Sequence, residues 1–410
     1  MRSAIVLGAG MVGVASALHL QRRGWSVALV DRTGPGQETS YGNTGIIQSE
    51  AAGPLPMPRD ALSLARIAAG LTNDVRYRLA ALPSHLGPLV RYWWHSAPHR
   101  HALISADYAK LIRPAAGAHD EFIRESGAGA LVRREGYRHL HREPAALEQA
   151  VAEAEVLRAN YGVRFSVLAA DELARAEPGL AMRAAGAIHW LEPWTVSDPG
   201  GLVNAYARLF QTRGGTLHRG DAMTLAGTSS GWSVATADGR IDAECVVVAL
   251  GPWSPDLLRR FGYRFALVRK RGYHRHYRGN STLRLPLVDK AYGYGMAPMA
   301  QGLRITTGAE FTGRDAPPTP VQLRRAEMAA RELLALGEPV EPDPWFGTRP
   351  CTPDMLPIIG RAIRHPGLWM NFGHGHQGFT LGPVTGRLVA ELRSGETPVA
   401  DAVPYRPDRF

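Results

Sequence analysis

The chain has 410 residues, of which 45% are hydrophobic and 20% charged, and it contains only two cysteines. This length suffices for one large domain or two joined domains with a substantial core, and the composition excludes wholesale disorder. Cys245 and Cys351 are too few for a disulfide framework, which favours a reducing compartment. The first residues lack the features of a secretory signal, and no stretch has the ~18 consecutive apolar residues of a membrane span. We therefore expect a cytoplasmic protein, soluble or peripheral to the inner face of the plasma membrane.

A nucleotide-binding pattern opens the chain. Residues 3–13 read SAIVLGAGMVG, an apolar strand that runs into Gly8-x-Gly10-x-x-Gly13, and a helix-compatible stretch follows. Glycines at this spacing allow a tight turn, a close backbone approach to a pyrophosphate, and contact between helix and strand. A second strand ends at Asp31, an acid placed to bind a ribose hydroxyl, which disfavours NADP. The unit predicts a dinucleotide site in an α/β fold, with FAD and NAD both open.

Three later segments favour FAD. Residues 38–45 form a polar, glycine-bearing loop that suits a diphosphate and a ring system, although a plain surface loop would look similar. Residues 230–251 predict a hairpin around Asp238-Gly239 and then a buried strand that ends in small residues. Residues 369–395 read as a strand, a glycine-rich turn and a helix, whose N-terminus suits a flavin ring carbonyl.

Together these segments resemble the FAD-dependent D-amino-acid oxidase superfamily, and within it the bacterial D-amino-acid and D-hydroxyproline dehydrogenases. The resemblance rests on GAGMVG at 8–13, ETSYGNTG at 38–45, VVVALGPWS at 246–254, WFGTRPCTPDMLPIIG at 345–360 and GHGHQGFTLGP at 373–383. It implies a Rossmann-like FAD-binding domain of the glutathione-reductase type and a second α+β substrate domain built on an antiparallel sheet. We expect the FAD domain to comprise residues 1–50, 195–262 and 345–410, and the substrate domain residues 51–194 and 263–344.

The resemblance implies FAD as a non-covalent cofactor. In the monomeric sarcosine oxidases the flavin is attached to a cysteine, which would fall at Gly347 in this chain and not at Cys351. This departure weakens a sarcosine oxidase interpretation, while glycine oxidases remain. The residues expected to bind FAD are Gly8, Ala9, Gly10, Met11, Val12, Gly13, Asp31, Arg32, Thr39, Ser40, Asn43, Thr44, Gly45, Ala249, Gly251, Trp253, Gly375, His376, Gln377, Gly378, Phe379 and Thr380.

The candidates for substrate chemistry are Arg349, Tyr273 and His376, with His274 as a weaker one. Arg349 lies in GTRPCTPD, where a guanidinium suits a carboxylate, although an arginine in a proline-rich loop is often a structural ion pair. The resemblance implies that Arg349 binds the amino acid carboxylate and that the RGY segment lines the substrate cavity. That segment nominates Tyr273 and, less strongly, His274, and His376 is a further candidate for substrate contact.

The resemblance implies oxidation of a D-amino acid by hydride transfer from Cα to flavin N5, which leaves an imine. D-proline or cis-4-hydroxy-D-proline is the favoured substrate, and broad action on D-amino acids is the next interpretation. A glycine or sarcosine type of amine oxidase remains open, as do a redox-inactive FAD scaffold and an RNA-binding flavoprotein. The electron acceptor is a quinone, another carrier or oxygen.

The charge is unevenly distributed. The net charge is +10, and residues 251–279 hold eight basic residues against one acid, Asp256. This segment suits an anionic membrane or an acidic electron carrier, whereas the near absence of lysine clusters argues against nucleic acid. Residues 268–278 read as a strand that either lines the substrate cavity or forms a solvated edge.

Further patterns predict the remaining elements. Helices are expected at 61–70, 145–160 and 322–336, and strands at 131–142 and on both sides of a turn within 292–311. Tyr292 and Tyr294 share one strand face and are either pocket-wall or ordinary core residues. Four His-x-His pairs lack a recognisable third ligand, so no metal site is expected.

Overall fold

The computed structural model describes residues 2–279, 283–313 and 316–410. Its α-helices are α1 (Met11–Gln21), α2 (Ala61–Ala68), α3 (Leu82–His95), α4 (Pro98–Ile112), α5 (Ala115–Ser126), α6 (Pro144–Tyr161), α7 (Ala170–Ala176), α8 (Pro199–Thr212), α9 (Ser254–Arg259), α10 (Val321–Leu333) and α11 (Gly378–Ser394). Its strands are β1 (Ser3–Leu7), β2 (Ser26–Asp31), β3 (Ile46–Ile47), β4 (Val75–Tyr77), β5 (Val132–Arg133), β6 (Tyr137–His141), β7 (Phe165–Ala169), β8 (Gly186–Trp190), β9 (Trp194–Val196), β10 (Thr216–Thr228), β11 (Gly231–Thr236), β12 (Gly239–Ala243), β13 (Cys245–Val248), β14 (Val268–Tyr277), β15 (Leu287–Asp289), β16 (Tyr294–Met299), β17 (Gly302–Thr306), β18 (Ala309–Phe311), β19 (Trp345–Cys351), β20 (Ile358–Arg361) and β21 (Leu368–Phe372). Short 3-10 helices span Leu79–Ala81, Ala128–Leu131, Gly251–Trp253, Val403–Tyr405 and Pro407–Arg409.

The first sheet carries the N-terminal nucleotide-binding pattern. Its strand order is β12-β11-β10-β2-β1-β13-β21-β20, and the five strands from β10 to β21 are parallel. Alternate residues of β1 enter two different cores: Val6 packs with α1, α8 and α11, whereas Ile5 packs with β11 and α9 on the opposite face. A parallel sheet covered on both faces explains why its strands read as continuous apolar runs.

The second sheet is mainly antiparallel. Its order is β4-β18-β14-β17-β16-β15-β6-β8-β7, and β19 pairs with β14. Helix α10 covers it: Leu323, Ala326 and Leu333 pack in the same core as Tyr277 and Ile305 of the sheet. A small third sheet, β3-β9-β5, joins segments that are distant in the sequence.

The predicted fold class is confirmed, since a Rossmann-like parallel sheet is joined to a mainly antiparallel one. The predicted hairpin corresponds to β11 and β12, and the three predicted helices correspond to α2, α6 and α10. The edge-strand alternative for β14 is wrong, because β19 pairs on one side of it and β17 and β18 on the other. The expected boundary at residue 345 also needs correction, because β19 belongs to the second sheet. No helix within the described residues combines the length and the hydrophobicity needed to cross a bilayer.

Candidate active site

A cavity of ≈ 1950 Å³ extends from the ends of the parallel strands to the second sheet. Its wall includes Gly8 and Asp31 at one sheet and Lys270 and Arg349 at the other. Small-molecule sites generally occupy roughly 300–1,000 Å³, so this space suits a large cofactor together with a substrate.

The turn between β1 and α1 forms one end of the wall and depends on glycine. Gly8 has a φ of +103°, and a Cβ there would lie 2.6 Å from the carbonyl oxygen of Ala249. A Cβ on Gly13 would lie 1.8 Å from the carbonyl oxygen of Gly8. The turn therefore brings the first residues of α1 to the cavity wall, where the free amides and the dipole of a helix N-terminus favour an anion.

The end of β2 adds an acid and a cation. The Asp31 carboxylate accepts hydrogen bonds from the backbone amides of Ala9, at 2.8 Å, and Gly34, at 3.0 Å. The guanidinium of Arg32 lies 4.2 Å from the ring centroid of Trp253. Both side chains line the cavity, where the acid is placed for a ribose hydroxyl.

A second helix N-terminus reaches the same cavity near the end of the chain. Gly378 and Phe379, the first residues of α11, line the cavity with Gly375 and His376. Burial, with Arg349 and Lys270 nearby, lowers the pKa of His376 to about 3, so its imidazole is neutral at ordinary pH. The two helix N-termini, the glycine turn and the terminal acid of β2 form a set of groups that fits FAD.

The structure brings most of the predicted FAD residues to one cavity. Those in its wall are Gly8, Gly10, Met11, Val12, Asp31, Arg32, Thr39, Ser40, Asn43, Thr44, Ala249, Gly251, Trp253, Gly375, His376, Gly378 and Phe379. Five others are not part of the wall but pack against or hydrogen-bond to residues near it: Ala9, Gly13, Gly45, Gln377 and Thr380. For example, Thr380 accepts a hydrogen bond from the amide of Gln48, which does line the cavity.

Arg349 lines the cavity and its orientation is fixed by the protein backbone. Its guanidinium donates to the carbonyl oxygens of Gly308, at 2.8 Å, and Thr307, at 3.1 Å. It lies against Gly272, where a Cβ would approach Nη2 to 2.7 Å. Burial lowers the pKa of Arg349, but an arginine remains charged, so the cavity wall presents a fixed cation.

Lys270 is a cavity residue that the sequence analysis missed. It lies opposite Arg349 in the pairing of β14 with β19, and its Nζ lies 4.6 Å from the ring centroid of Tyr92. Neither Lys270 nor Arg349 forms an ion pair with a carboxylate within the described residues. The alternating pattern of β14 places Lys270 and Tyr273 on opposite faces of the strand, but it does not show which face meets the cavity.

The prediction that Tyr273 lines the substrate cavity is wrong. Tyr273 is 2% exposed, and its hydroxyl donates to Glu310, at 2.5 Å, and accepts from the amide of Thr319. His274 is likewise buried and stacks on Trp345 with 4.7 Å between ring centroids. The face of β14 that was expected to meet the substrate instead packs into the core of the second sheet, and Lys270 meets the cavity.

The basic segment 251–279 does not form one exposed strip. Arg269 pairs with Asp256 at 3.2 Å, Arg271 is 2% exposed and donates to backbone carbonyls, and Arg275 donates to the carbonyl oxygen of Glu341. Arg259 and Lys270 line the cavity, so five of the eight cations act inside the fold or in the cavity wall, and the segment does not present one continuous basic surface.

Tyr292 and Tyr294 both line the cavity, and Tyr294 also packs in the core of the second sheet. A Cβ on Gly347 would lie 2.2 Å from Trp345, so a cysteine at the position used for covalent attachment would collide with that ring. Among the residues that the structure describes, no group of three or more His, Cys, Asp and Glu side chains is arranged to hold a metal ion.

Comparison with known proteins agrees with this geometry. The model of the family described as "DAO: FAD dependent oxidoreductase" matches residues 3–392. The chain is 31% identical to a D-amino-acid oxidase of Bradyrhizobium diazoefficiens, covering 100% of this chain and 99% of that protein. It is 30% identical to a D-amino acid dehydrogenase of Xylella fastidiosa, covering 95% and 91% respectively.

Solved structures share the fold. A glycine oxidase from Geobacillus kaustophilus superposes with a TM-score of 0.72 at 21% identity, covering 100% of both chains. An iminodiacetate oxidase from Chelativorans sp. BNC1 gives a TM-score of 0.73 at 21% identity, covering 98% of both chains. The chain belongs to the DAO family of FAD-dependent oxidoreductases, and it is an FAD-dependent amine oxidoreductase.

Proposed function

We propose that the chain oxidises a D-amino acid at Cα, with D-proline or cis-4-hydroxy-D-proline as favoured substrate and a wider set of D-amino acids as the alternative. The observation that carries this proposal is the position of Arg349, a backbone-anchored cation in the wall of the cavity that the FAD-binding turns share. The names of the relatives support a D-amino acid, and the resemblance to the bacterial D-hydroxyproline dehydrogenases supports a secondary amine.

In this proposal Arg349 and Lys270 hold the substrate carboxylate. Two neighbouring cations with no acidic partner among the residues that the structure describes favour an anion in the cavity, and a guanidinium can grip a carboxylate through two parallel hydrogen bonds. When bound, FAD would supply the acceptor for the hydride that leaves Cα. The amine N–H proton leaves to solvent as the C=N bond forms, and water then hydrolyses the imine of a primary amine to a keto acid and ammonia.

The chain supplies binding and orientation. Asp31 would hold the ribose of FAD, and the N-terminus of α1 its diphosphate. His376 is neutral, so it suits substrate contact through a ring nitrogen without adding a further positive charge. No dedicated base is required, because a hydride transfer needs alignment of Cα with the acceptor and a dry cavity.

We further propose that FAD is held non-covalently and that the electrons pass to a quinone, another carrier or oxygen. Support for non-covalent binding comes from Trp345, which occupies the space that a side chain at Gly347 would need. A quinone acceptor agrees with a protein at the inner face of the plasma membrane, where such carriers are found.

The test is the visible spectrum of the FAD-loaded protein under anaerobic conditions. D-proline, cis-4-hydroxy-D-proline, D-alanine, D-arginine, sarcosine and glycine are added in turn, and the fastest loss of flavin colour identifies the substrate class. Bleaching by a cyclic D-amino acid supports the favoured substrate. Fastest bleaching by sarcosine or glycine favours the glycine-oxidase type, and a yellow protein that nothing bleaches favours a redox-inactive scaffold.

An Arg349→Leu variant tests the carboxylate contact. We expect it to keep FAD and to lose roughly tenfold to a hundredfold in kcat/KM, because a hydrogen bond to a charged group contributes roughly 1.5–3 kcal/mol. The exposed Arg208→Leu variant serves as the matched control and should react like the parent. Unchanged kcat/KM in Arg349→Leu would contradict the proposal.

A further inference from the structure

Residues 55–103 expose a concentration of large apolar side chains. We call the following eight residues, which are between 53% and 75% exposed, the apolar face: Leu55, Leu62, Leu71, Leu79, Leu86, Val90, Trp94 and Leu103. Single exposed hydrophobic residues are common on protein surfaces, but a concentration within one segment marks an interaction site.

Helical spacing gathers part of this face into a stripe. On α3, Leu86, Val90 and Trp94 follow one another at intervals of four residues and therefore share one side of the helix. Helix α2 has no buried residue at all. A surface helix normally turns its apolar stripe towards the core, so a stripe that faces solvent indicates a partner outside the chain.

Contacts hold the elements of the apolar face together. The hydroxyl of Tyr92 on α3 donates to the carbonyl oxygen of Leu55 at 2.5 Å, and the guanidinium of Arg59 lies 3.7 Å from the ring centroid of Trp93. Arg100 on α4 lies 3.7 Å from the ring centroid of Trp94, and Leu103 follows Arg100 on the next turn. The stripe on α3, the loop before α2 and the start of α4 thus form one surface.

The charge on this surface has one dominant sign. Residues 55–103 contain six arginines but only two acids, Asp60 and Asp74. Arg66 and Arg91 are exposed, and two further arginines lie on tryptophan rings. Tryptophan and arginine side chains beside an apolar surface are typical of proteins that lie at the interface of an anionic bilayer. A symmetric dimer through the same face would oppose arginine with arginine.

The apolar face also borders the mouth of the cavity. Leu55, Leu62 and Leu71 line the cavity and are nevertheless 66–71% exposed, which places them where the cavity opens to solvent. Leu82 and Leu89 of α3 line it too. A surface that covers the apolar face would therefore cover this opening as well.

We propose that the apolar face docks on a bilayer of anionic phospholipid, with the mouth of the cavity against the membrane. A lipid-soluble electron acceptor then enters the cavity from the bilayer without crossing water. The role of docking in electron transfer rests on the proposed function, but the binding itself depends only on this surface.

The test is sedimentation of the FAD-loaded protein with vesicles of phosphatidylcholine alone and of phosphatidylcholine mixed with phosphatidylglycerol. We expect binding to the anionic vesicles that weakens as salt is added, because the arginine contribution is screened. A Leu86→Glu/Val90→Glu variant should bind at least about tenfold more weakly, because it removes two apolar anchors and adds two like charges facing the lipid. The two residues do not line the cavity, so turnover with a soluble dye acceptor should be unchanged.

Val156→Glu is the matched control, because Val156 on α6 is exposed to the same degree, 57%, as Val90. The proposal is overturned if the parent does not sediment with anionic vesicles at low salt, or if Val156→Glu weakens binding as much as the double variant. A concentration-dependent dimer that the double variant abolishes would also overturn it and would assign the apolar face to a second copy of this chain. Vesicle binding without turnover on any amine would leave the docking intact and contradict only the proposed function.

Discussion

Lys270 adds a second positive charge beside the residue proposed to hold the substrate carboxylate. We expect Lys270→Met to raise KM about tenfold or more while FAD stays bound, because a hydrogen bond to a charged group contributes about 1.5–3 kcal/mol. Methionine keeps a similar length without the charge. Steady-state kinetics with the best substrate of the bleaching series measure the effect.

The control for this prediction is Lys110→Met. Lys110 is an exposed lysine that pairs with Asp107 at 2.7 Å, outside the cavity wall. An equal KM for Lys270→Met and the parent would show that Arg349 holds the carboxylate without its neighbour.

Glu50 is a buried carboxyl group in a polar network behind the cavity. It is 3% exposed, and its Oε1 accepts from the Tyr137 hydroxyl at 2.7 Å and from the Gln48 amide at 3.2 Å. Burial is the main cause that raises its pKa from 4.5 to about 7, against the opposing hydrogen bonds. The folded protein therefore holds this proton more tightly than the unfolded chain does.

This shift predicts a pH-dependent gain in stability for Glu50→Gln. As pH rises from about 4.5 to about 7, the unfolded chain releases the proton first, so the parent loses roughly 3 kcal/mol of unfolding free energy at this site. Glutamine keeps an oxygen acceptor and carries no charge, so the variant should match the parent near pH 4 and exceed it above pH 7. Urea unfolding of the FAD-loaded proteins across this pH range measures the difference. The exposed Glu148→Gln should show no such trend, and a constant difference at all pH values would contradict the assignment.

At the scale of elements, the pairing of β14 with β19 positions Arg349. Gly272 leaves the space in which the guanidinium lies, since a Cβ there would come within 2.7 Å of Nη2 and 2.9 Å of Cζ. Gly272→Ala should fold, because the far end of a side chain can move, but it should displace the guanidinium and raise KM about tenfold. Kinetics and the flavin spectrum together measure the effect. Gly227→Ala in β10, where nothing lies within 4 Å of the added Cβ, is the control, and equal KM values in both variants would disprove the positioning role.

Local patterns predicted the elements better than they predicted the substrate side of the cavity. The turn at Gly8 depends on glycine, and the hairpin of β11 and β12 depends on alternation within a few residues. Both signals are local, so both elements could be predicted from the sequence. Tyr273 was placed in the cavity wall by the resemblance of the RGY segment, and the alternation of β14 could not correct this, because it divides the strand into two faces without showing which one α10 covers. The exposed side of α3 was missed for the same reason, since whether an apolar stripe meets a core depends on distant segments.

At the scale of the whole molecule, the cavity wall draws on both large sheets, so a bound cofactor contributes to the stability of the entire chain. Removing FAD by dialysis against high bromide should lower the melting temperature, and added FAD should restore it, since a ligand at a hundredfold excess over its Kd stabilises by about 2.7 kcal/mol. Circular dichroism melts of both forms measure this effect. Flavin mononucleotide, which lacks the adenosine half that Asp31 would hold, should restore less. A yellow colour that stays with acid-precipitated protein would contradict non-covalent binding.

The two-faced character of β14 sets a limit for protein engineering. Its residues alternate between the cavity, at Lys270, and the core of the second sheet, at Tyr273 and Tyr277. A one-residue insertion or deletion within the strand would exchange the two sets of side chains, because the side-chain period of a strand is two. Libraries that seek a new substrate range should therefore vary positions 270 and 349 by substitution and keep the length of this strand constant.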